Sequence, residues 1–246
     1  MLESNEVFET VDLGTSHFTE ANEAVRAALD RSDNVRLVDT EGQRYLGCAM
    51  RSGKKLEIHG TPGNDMACFM DGGTIEVFGN SQDQIGNTMN DGLIVVHGRC
   101  GDAAGYGMRG GSIYIRDDCG WRVGINMKQY EDKKPVIVIG GDAGSFLGEY
   151  MAGGVIVLLG KPERYLATGM HGGVIYLKNR IDSDSVAPGL MVEEVDEADK
   201  EFLNEILSNY NHFFAGDTNE KAPVTGDGFY KLIPESSRPY ASMYAS

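Results

Sequence analysis

Seven methionines, Met50, Met70, Met89, Met108, Met127, Met151 and Met170, follow one another at intervals of 20, 19, 19, 19, 24 and 19 residues. A sequence that repeats near every twenty residues specifies a solenoid, in which each unit buries its apolar face only against the units beside it. The text around each methionine repeats as well. MDGGTIEVFG starts at Met70, MRGGSIYIRD at Met108, MAGGVIVLLG at Met151 and MHGGVIYLKN at Met170. Such a repeat offers a surface, and nothing inside the unit is itself a reaction centre.

Within each unit the side chains have assigned places. Three residues before each methionine stand Gly47, Ala67, Gly86, Gly105, Gly124, Gly148 and Ala167. Only small residues occur there, which predicts a tight backbone turn or close packing. Glycine pairs such as Gly72–Gly73, Gly110–Gly111, Gly153–Gly154 and Gly172–Gly173 follow the methionines, with Asp91–Gly92 and Ser52–Gly53 in the same place, and predict a corner. A short strand comes next. Ile75 and Val77, Ile94 and Val96, Ile113 and Ile115, Ile156 and Leu158, and Ile175 and Leu177 hold alternate positions and should share one face; Leu56 and Ile58 are a worn first copy. Glu76, Val95, Tyr114, Val157 and Tyr176 should face the other way. The 24-residue interval contains a charged insertion, Lys128–Lys134, expected to bulge from a corner.

Units this short and rich in glycine do not make paired helices, and the leucine and asparagine frame of leucine-rich repeats is absent. The pattern predicts an all-β chain: a parallel β-helix of about seven coils, roughly 30 Å long at the usual strand spacing, and right-handed by the rule for parallel crossovers. Recurrence also predicts that Met89, Met108 and Met151 are buried at equivalent corners, with Ile94, Ile113 and Ile156 stacked inside.

Flanking segments differ. Residues 1–45 form an N-terminal cap: HFTEANEAVRAALD at 17–30 puts Phe18, Ala21, Val25, Ala28 and Leu29 on one helical stripe, and Val35–Val38 reads as a strand. Residues 46–180 are the coils. In 181–246, a loop over 181–190 precedes an amphipathic helix at Glu193–Phe214, then a tail with Phe229, Tyr230, Leu232, Tyr240 and Tyr244 that packs on the solenoid or docks to a partner subunit.

Composition excludes several functions. A net charge of −15 opposes binding to nucleic acid and to anionic membranes. No apolar run is long enough to span a bilayer, and MLESNEVFET lacks the pattern of a signal peptide, which predicts a cytoplasmic location. Cys48 and Cys68 lie two residues before a methionine, and Cys100 and Cys119 eight before one, so adjacent coils stack them as two pairs. They read as small apolar residues of a packed column; oxidation of the pairs is open chemically and disfavoured in a reducing cytosol.

A search for chemistry finds no catalytic, cofactor-binding or metal-binding residues. Gly105–Gly110, GYGMRG, matches a dinucleotide pattern in letters, but a strand rather than a helix follows it. There is no nucleophile elbow and no phosphate-binding loop. His59 and His97 sit at related strand ends two coils apart with Phe78 between, about 9.6 Å by the strand spacing, too far to share an ion. His17, His171 and His212 have no ligand pattern, and Asp102 and Asp142 read as solvated turn residues. An independent hydrolase acting on sugars could use Tyr114 and Tyr176 as outward aromatics, but no carboxylate pair accompanies them.

Units of the form GxxxGxxMxGGxIxVxG, such as GDAAGYGMRGGSIYIRD from Gly101 and, with an insertion, GDAGSFLGEYMAGGVIVLLG from Gly141, resemble the GXGXG-motif domain. That domain is the C-terminal right-handed β-helix of the glutamate synthase large subunit. It also occurs as the β-helical subunit of formylmethanofuran dehydrogenase and as stand-alone proteins described as glutamate synthase domain 3. The ending FYKLIPESSRPYASMY looks like that of the stand-alone proteins. The resemblance implies a non-catalytic scaffold subunit of a glutamate-synthase-like glutamine amidotransferase complex. Its partners would be a glutaminase-type subunit and a flavin subunit, with the FMN and the iron–sulfur cluster on those partners and none here. The alternative it implies is the structural, β-helical subunit of formylmethanofuran dehydrogenase. Leu2 stands where the amidotransferase cysteine would follow Met1. Self-association is left open.

Overall fold

A computed structural model describes residues 7–181, 186–215 and 223–236. The elements in chain order are β1 (Glu9–Asp12), α1 (Phe18–Arg31), β2 (Asn34–Glu41), β3 (Lys55–Thr61), β4 (Asp71–Phe78), β5 (Asp91–Val96), β6 (Ser112–Ile115), β7 (Val136–Ile139), β8 (Ala152–Leu158), β9 (Gly172–Leu177), β10 (Leu190–Glu194), α2 (Glu197–Phe214) and β11 (Tyr230–Pro234). All strands join one sheet in the order β1-β2-β3-β4-β5-β6-β7-β8-β9-β11-β10. Pairing is parallel from β1 to β9, as a solenoid requires, and antiparallel where β11 joins β9 and β10. The solenoid has about eight turns rather than seven, because β2 adds a rung before the first methionine.

Register explains the core. Val35, Leu56, Ile75, Ile94, Ile113, Ile137, Ile156, Ile175 and Leu232 are partners in succession, and each is fully buried. From Ile75 to Ile175 isoleucine meets isoleucine in every coil, so that stretch of the column has no step in volume. The methionines form a second buried column, as the period predicts. A third, at four residues before each methionine, holds Leu46, Met66, Ile85, Ala104, Val123, Leu147 and Leu166.

The glycines are shaped by these columns. A Cβ on Gly111 would lie 2.6 Å from the Met89 methyl of the preceding coil, and φ there is +79°. A Cβ on Gly105 would lie 2.5 Å from Ile137 Cδ1 of the next coil, at φ +68°. At both positions the lack of space excludes larger side chains, and the left-handed backbone would add strain. The predicted corner after the methionine is present at Ser52–Gly53 and Gly110–Gly111, which turn or bend ahead of their strands, whereas Gly72, Gly73, Gly153 and Gly154 lie inside β4 and β8, where the register shifts by a bulge. A second corner, present in every unit, precedes the methionine. Residues five, three and one before it are all left-handed, as in Arg122, Gly124 and Asn126. Their N–H groups bond to neighbouring coils, alternately forward and back, for example Arg122 N to Ser145 O, Gly124 N to Ala104 O and Asn126 N to Glu149 O.

Both ends are closed. At the N-terminal end Ala21, Val25 and Ala28 of α1 enter the main core beside Val35 and Leu37. Lys54 Nζ binds the Leu29 carbonyl and Asp33 at the C-terminal end of α1, where the helix dipole favours a cation. β1, a strand the sequence did not announce, covers β2. At the far end β11 and β10 complete the sheet, so residues Tyr230–Pro234 of the tail are used within the chain; Tyr240 and Tyr244 lie outside the described residues.

Helix α2 starts at Glu197, not Glu193. Asp196 caps it reciprocally with Asp199, and Glu193 and Glu194 belong to β10. Leu203, Ile206 and Leu207 of α2 pack on Val136, Val138, Val155 and Val157, the outer face of the sheet. The Lys128–Lys134 insertion is exposed throughout, as expected of a loop at a corner. It closes a tight hairpin between Tyr130 and Lys133, lies against Gly110, and extends Lys133 to within 3.6 Å of Asp71 and 3.7 Å of Asp91, two coils of the solenoid.

Candidate interaction surface

The structure disperses the side chains that might have formed a reaction centre. His59, Phe78 and His97 make a ring stack down three coils, with successive centroids 4.8 Å apart. His97 Nε2 bonds Glu76 at 2.9 Å, which holds the Glu76 carboxyl below its ordinary value. His17 caps α1, and the His171 ring lies 3.1 Å from the Gly169 carbonyl. Among the described residues no group of three or more His, Cys, Asp or Glu could hold a metal ion. GYGMRG lies in a corner and leads into β6.

Asp102 and Asp142 are exposed, yet they are more than solvated turns. Asp102 accepts the Trp121 N–H at 2.8 Å and Asp142 the Lys161 N–H at 2.7 Å. Asp83 and Asp118 make the same bond to the coil that follows each. These carboxylates clip one coil to the next and satisfy amides that the corner leaves without a strand partner.

Tyr114 and Tyr176 face away from the coil interior, as the alternation predicts, but they are not open to a ligand. Helix α2 buries both. Asn209 Nδ2 lies 3.4 Å from the Tyr114 hydroxyl, and Tyr176 donates to Asp199 at 2.6 Å. Lys231 completes that cluster, 2.8 Å from Asp199. Burial and the Asp199 carboxylate push the Tyr176 phenol well above its ordinary value. The cluster locks α2, β9 and β11 together, and burial under α2 keeps both tyrosines from a sugar.

Exposed aromatics instead gather on the left-handed corner. Trp121 and Tyr165 are 53% and 61% exposed, and Tyr150, Tyr106 and Phe69 are exposed with them. Phe146 and Tyr165 stack with centroids 4.8 Å apart, and the Arg122 guanidinium lies 5.0 Å from the Phe146 centroid. Arg122 also bonds the buried Glu149 at 3.1 Å, which fixes the arginine in place. The Trp121 and Tyr150 rings lie over Gly144 and Gly169 of the next coil, where a Cβ would collide with them. A cavity of about 510 Å³, lined in part by Tyr165, Leu166, Ile181 and Val186, continues the row. Rigid aromatics with an adjacent arginine, held on a stiff frame, are the composition of protein-binding hot spots. This row has little signal in the sequence: its aromatics stand at one (Phe69, Tyr150), two (Tyr106), five (Phe146, Tyr165) and six (Trp121) before a methionine, with no fixed place in the repeat.

Comparison with known proteins agrees with this architecture. The GXGXG motif family matches residues 15–223. An uncharacterized protein of Methanocaldococcus jannaschii is 38% identical over 248 residues, covering 95% of each chain. A chain of the X-ray crystal structure of the formyltransferase/hydrolase complex from Methylorubrum extorquens, solved with methylofuran, shares the fold. Its TM-score is 0.61 at 21% identity, over 84% of this chain and 86% of that one.

Proposed function

The chain belongs to the GXGXG motif family, and from that premise we propose that it is a non-catalytic structural subunit that holds partner subunits of a larger complex in register. The observation that carries this reading is the aromatic corner. Trp121, Phe146, Tyr150 and Tyr165 stand on a frame whose interior is filled by apolar columns, and the sheet face that might have served instead is covered by α2.

The partners are a glutaminase-type amidotransferase subunit and an FMN-containing glutamate-synthase-like subunit, with the flavin and the iron–sulfur cluster on the partners. This follows the repeat's resemblance to glutamate synthase domain 3. Ammonia released by one partner would reach the other while this chain fixes their spacing. A second reading is a structural subunit akin to the β-helical one of formylmethanofuran dehydrogenase. What favours it is the fold shared with a chain of a formyltransferase/hydrolase complex.

The test is purification of the tagged chain from native cells, with identification of what accompanies it. Recovery of a glutaminase and a flavoprotein supports the first reading. A molybdenum or tungsten enzyme in their place supports the second, and recovery of the chain alone contradicts both.

A further inference from the structure

The periodic spacing treats the two cysteine pairs alike; the structure separates them. Cys100 and Cys119 are bridged partners on adjacent coils, both buried in the main core. Cys48 and Cys68 lie on the left-handed corner of the first two methionine coils, and Cys48 is exposed while Cys68 beneath it is buried. Two inter-coil hydrogen bonds bracket this pair, Ala67 N to Leu46 O and Ala49 N to Cys68 O, each 2.8 Å. Strands so bonded run about 4.8 Å apart, inside the Cα separation of roughly 4.4–6.8 Å that a disulfide spans. The two cysteines are therefore neighbours across the coils, one at the surface and one beneath it.

We propose that Cys48 and Cys68 form a thiol switch, in which Cys48 captures a low-molecular-weight disulfide and Cys68 resolves it to a bond between coils. In the first step the Cys48 thiolate attacks one sulfur of the small disulfide. The sulfur–sulfur bond breaks, and one small thiolate leaves and takes up a proton. In the second step the Cys68 thiol loses its proton to solvent and attacks Cys48 Sγ, and the second small thiolate departs. Two protein thiols are oxidised by two electrons, and one small disulfide is reduced to two thiols.

Burial, reinforced by Cys48, pushes the Cys68 thiol of the reduced chain up to about 12, and since burial persists in the adduct, resolution should quicken as pH rises. Cys100 and Cys119 lack an exposed partner to capture the small disulfide, since both are buried, and burial pushes the first up to about 12 and the second well above its ordinary value. The bond would staple two coils beside Tyr45 and Phe69, both exposed on the same corner.

The experiment treats the full-length chain with oxidised glutathione and follows intact mass and cysteine-containing peptides. Expected is a transient glutathione adduct on Cys48, then a species two hydrogens lighter than the reduced chain with Cys48 linked to Cys68, reversed by dithiothreitol. C68S should hold the adduct, and C48S should not react. Three results in the wild-type chain would overturn the proposal, whether or not the variants fold: an adduct that never resolves, a link involving Cys100 or Cys119, or a dimer joined through Cys48.

Discussion

Met108 and Gly111 show how a residue in this molecule is defined by its neighbours in adjacent coils. The Met89 methyl, one coil back, fills the space that a Cβ on Gly111 would need. Met108 itself is fully buried beside the Ile113 column. Met108→Ala should lower the unfolding free energy by roughly 2–5 kcal/mol, the usual cost of a large-to-small change in a core, measured by urea titration. Gly111→Val should be at least as damaging, since it combines the collision with a left-handed backbone. The Glu76–His97 bond makes a different prediction. Its hydrogen bond lowers the folded-state pKa of the carboxyl, so the folded chain favours the carboxylate. That contribution is complete above the ordinary carboxylate range and is lost as pH falls through the folded-state pKa. Urea titrations should therefore show that Glu76→Gln costs stability near neutral pH, with the gap to wild type closing as acid is added. A gap independent of pH would contradict the assignment.

At the scale of elements, α2 makes the outer sheet face an interior. Val136, Val138, Val155 and Val157 are apolar where a solvated sheet would alternate, because Leu203, Ile206 and Leu207 cover them. Even Gly140 answers to this helix: a Cβ there would sit 2.0 Å from the Tyr210 hydroxyl. Leu207→Ala should cost roughly 2–5 kcal/mol, and Leu207→Asp should detach the helix and raise binding of a dye specific for exposed apolar surface. Unchanged dye binding in the Asp variant would show that α2 is not needed as a cover. Sequence reading recovered the coils because Ile75, Ile94 and Ile113 repeat in phase and β-branched alternation has few other meanings. It did not recover the cover on Tyr114, since the covering residues lie some 95 positions further along and leave no periodic trace. β1 was invisible because ETVD is polar and short, and its identity as a strand comes only from pairing with β2. The start of α2 was misplaced because an acidic run from Glu193 masked the capping pair Asp196 and Asp199.

The whole molecule is a closed stack whose two outer strands both carry acids, Glu9 and Asp12 on β1 and Glu193 and Glu194 on β10. Like charges on the two edges, in a chain of net charge −15, discourage end-to-end growth of the sheet. The corner with Trp121, Phe146, Tyr150 and Tyr165 is open for assembly. No helix among the described residues is long and apolar enough to cross a membrane. That this corner carries partner subunits, as proposed, is best tested in native cells. The tagged wild-type chain and a Trp121→Ala, Tyr165→Ala double variant would be recovered in parallel, after circular dichroism and melting curves confirm equal folding. Both side chains are exposed, so folding should be preserved. The account predicts partner subunits in stoichiometric amounts with the wild type and at least a tenfold loss with the variant. Equal recovery by the two chains would contradict it.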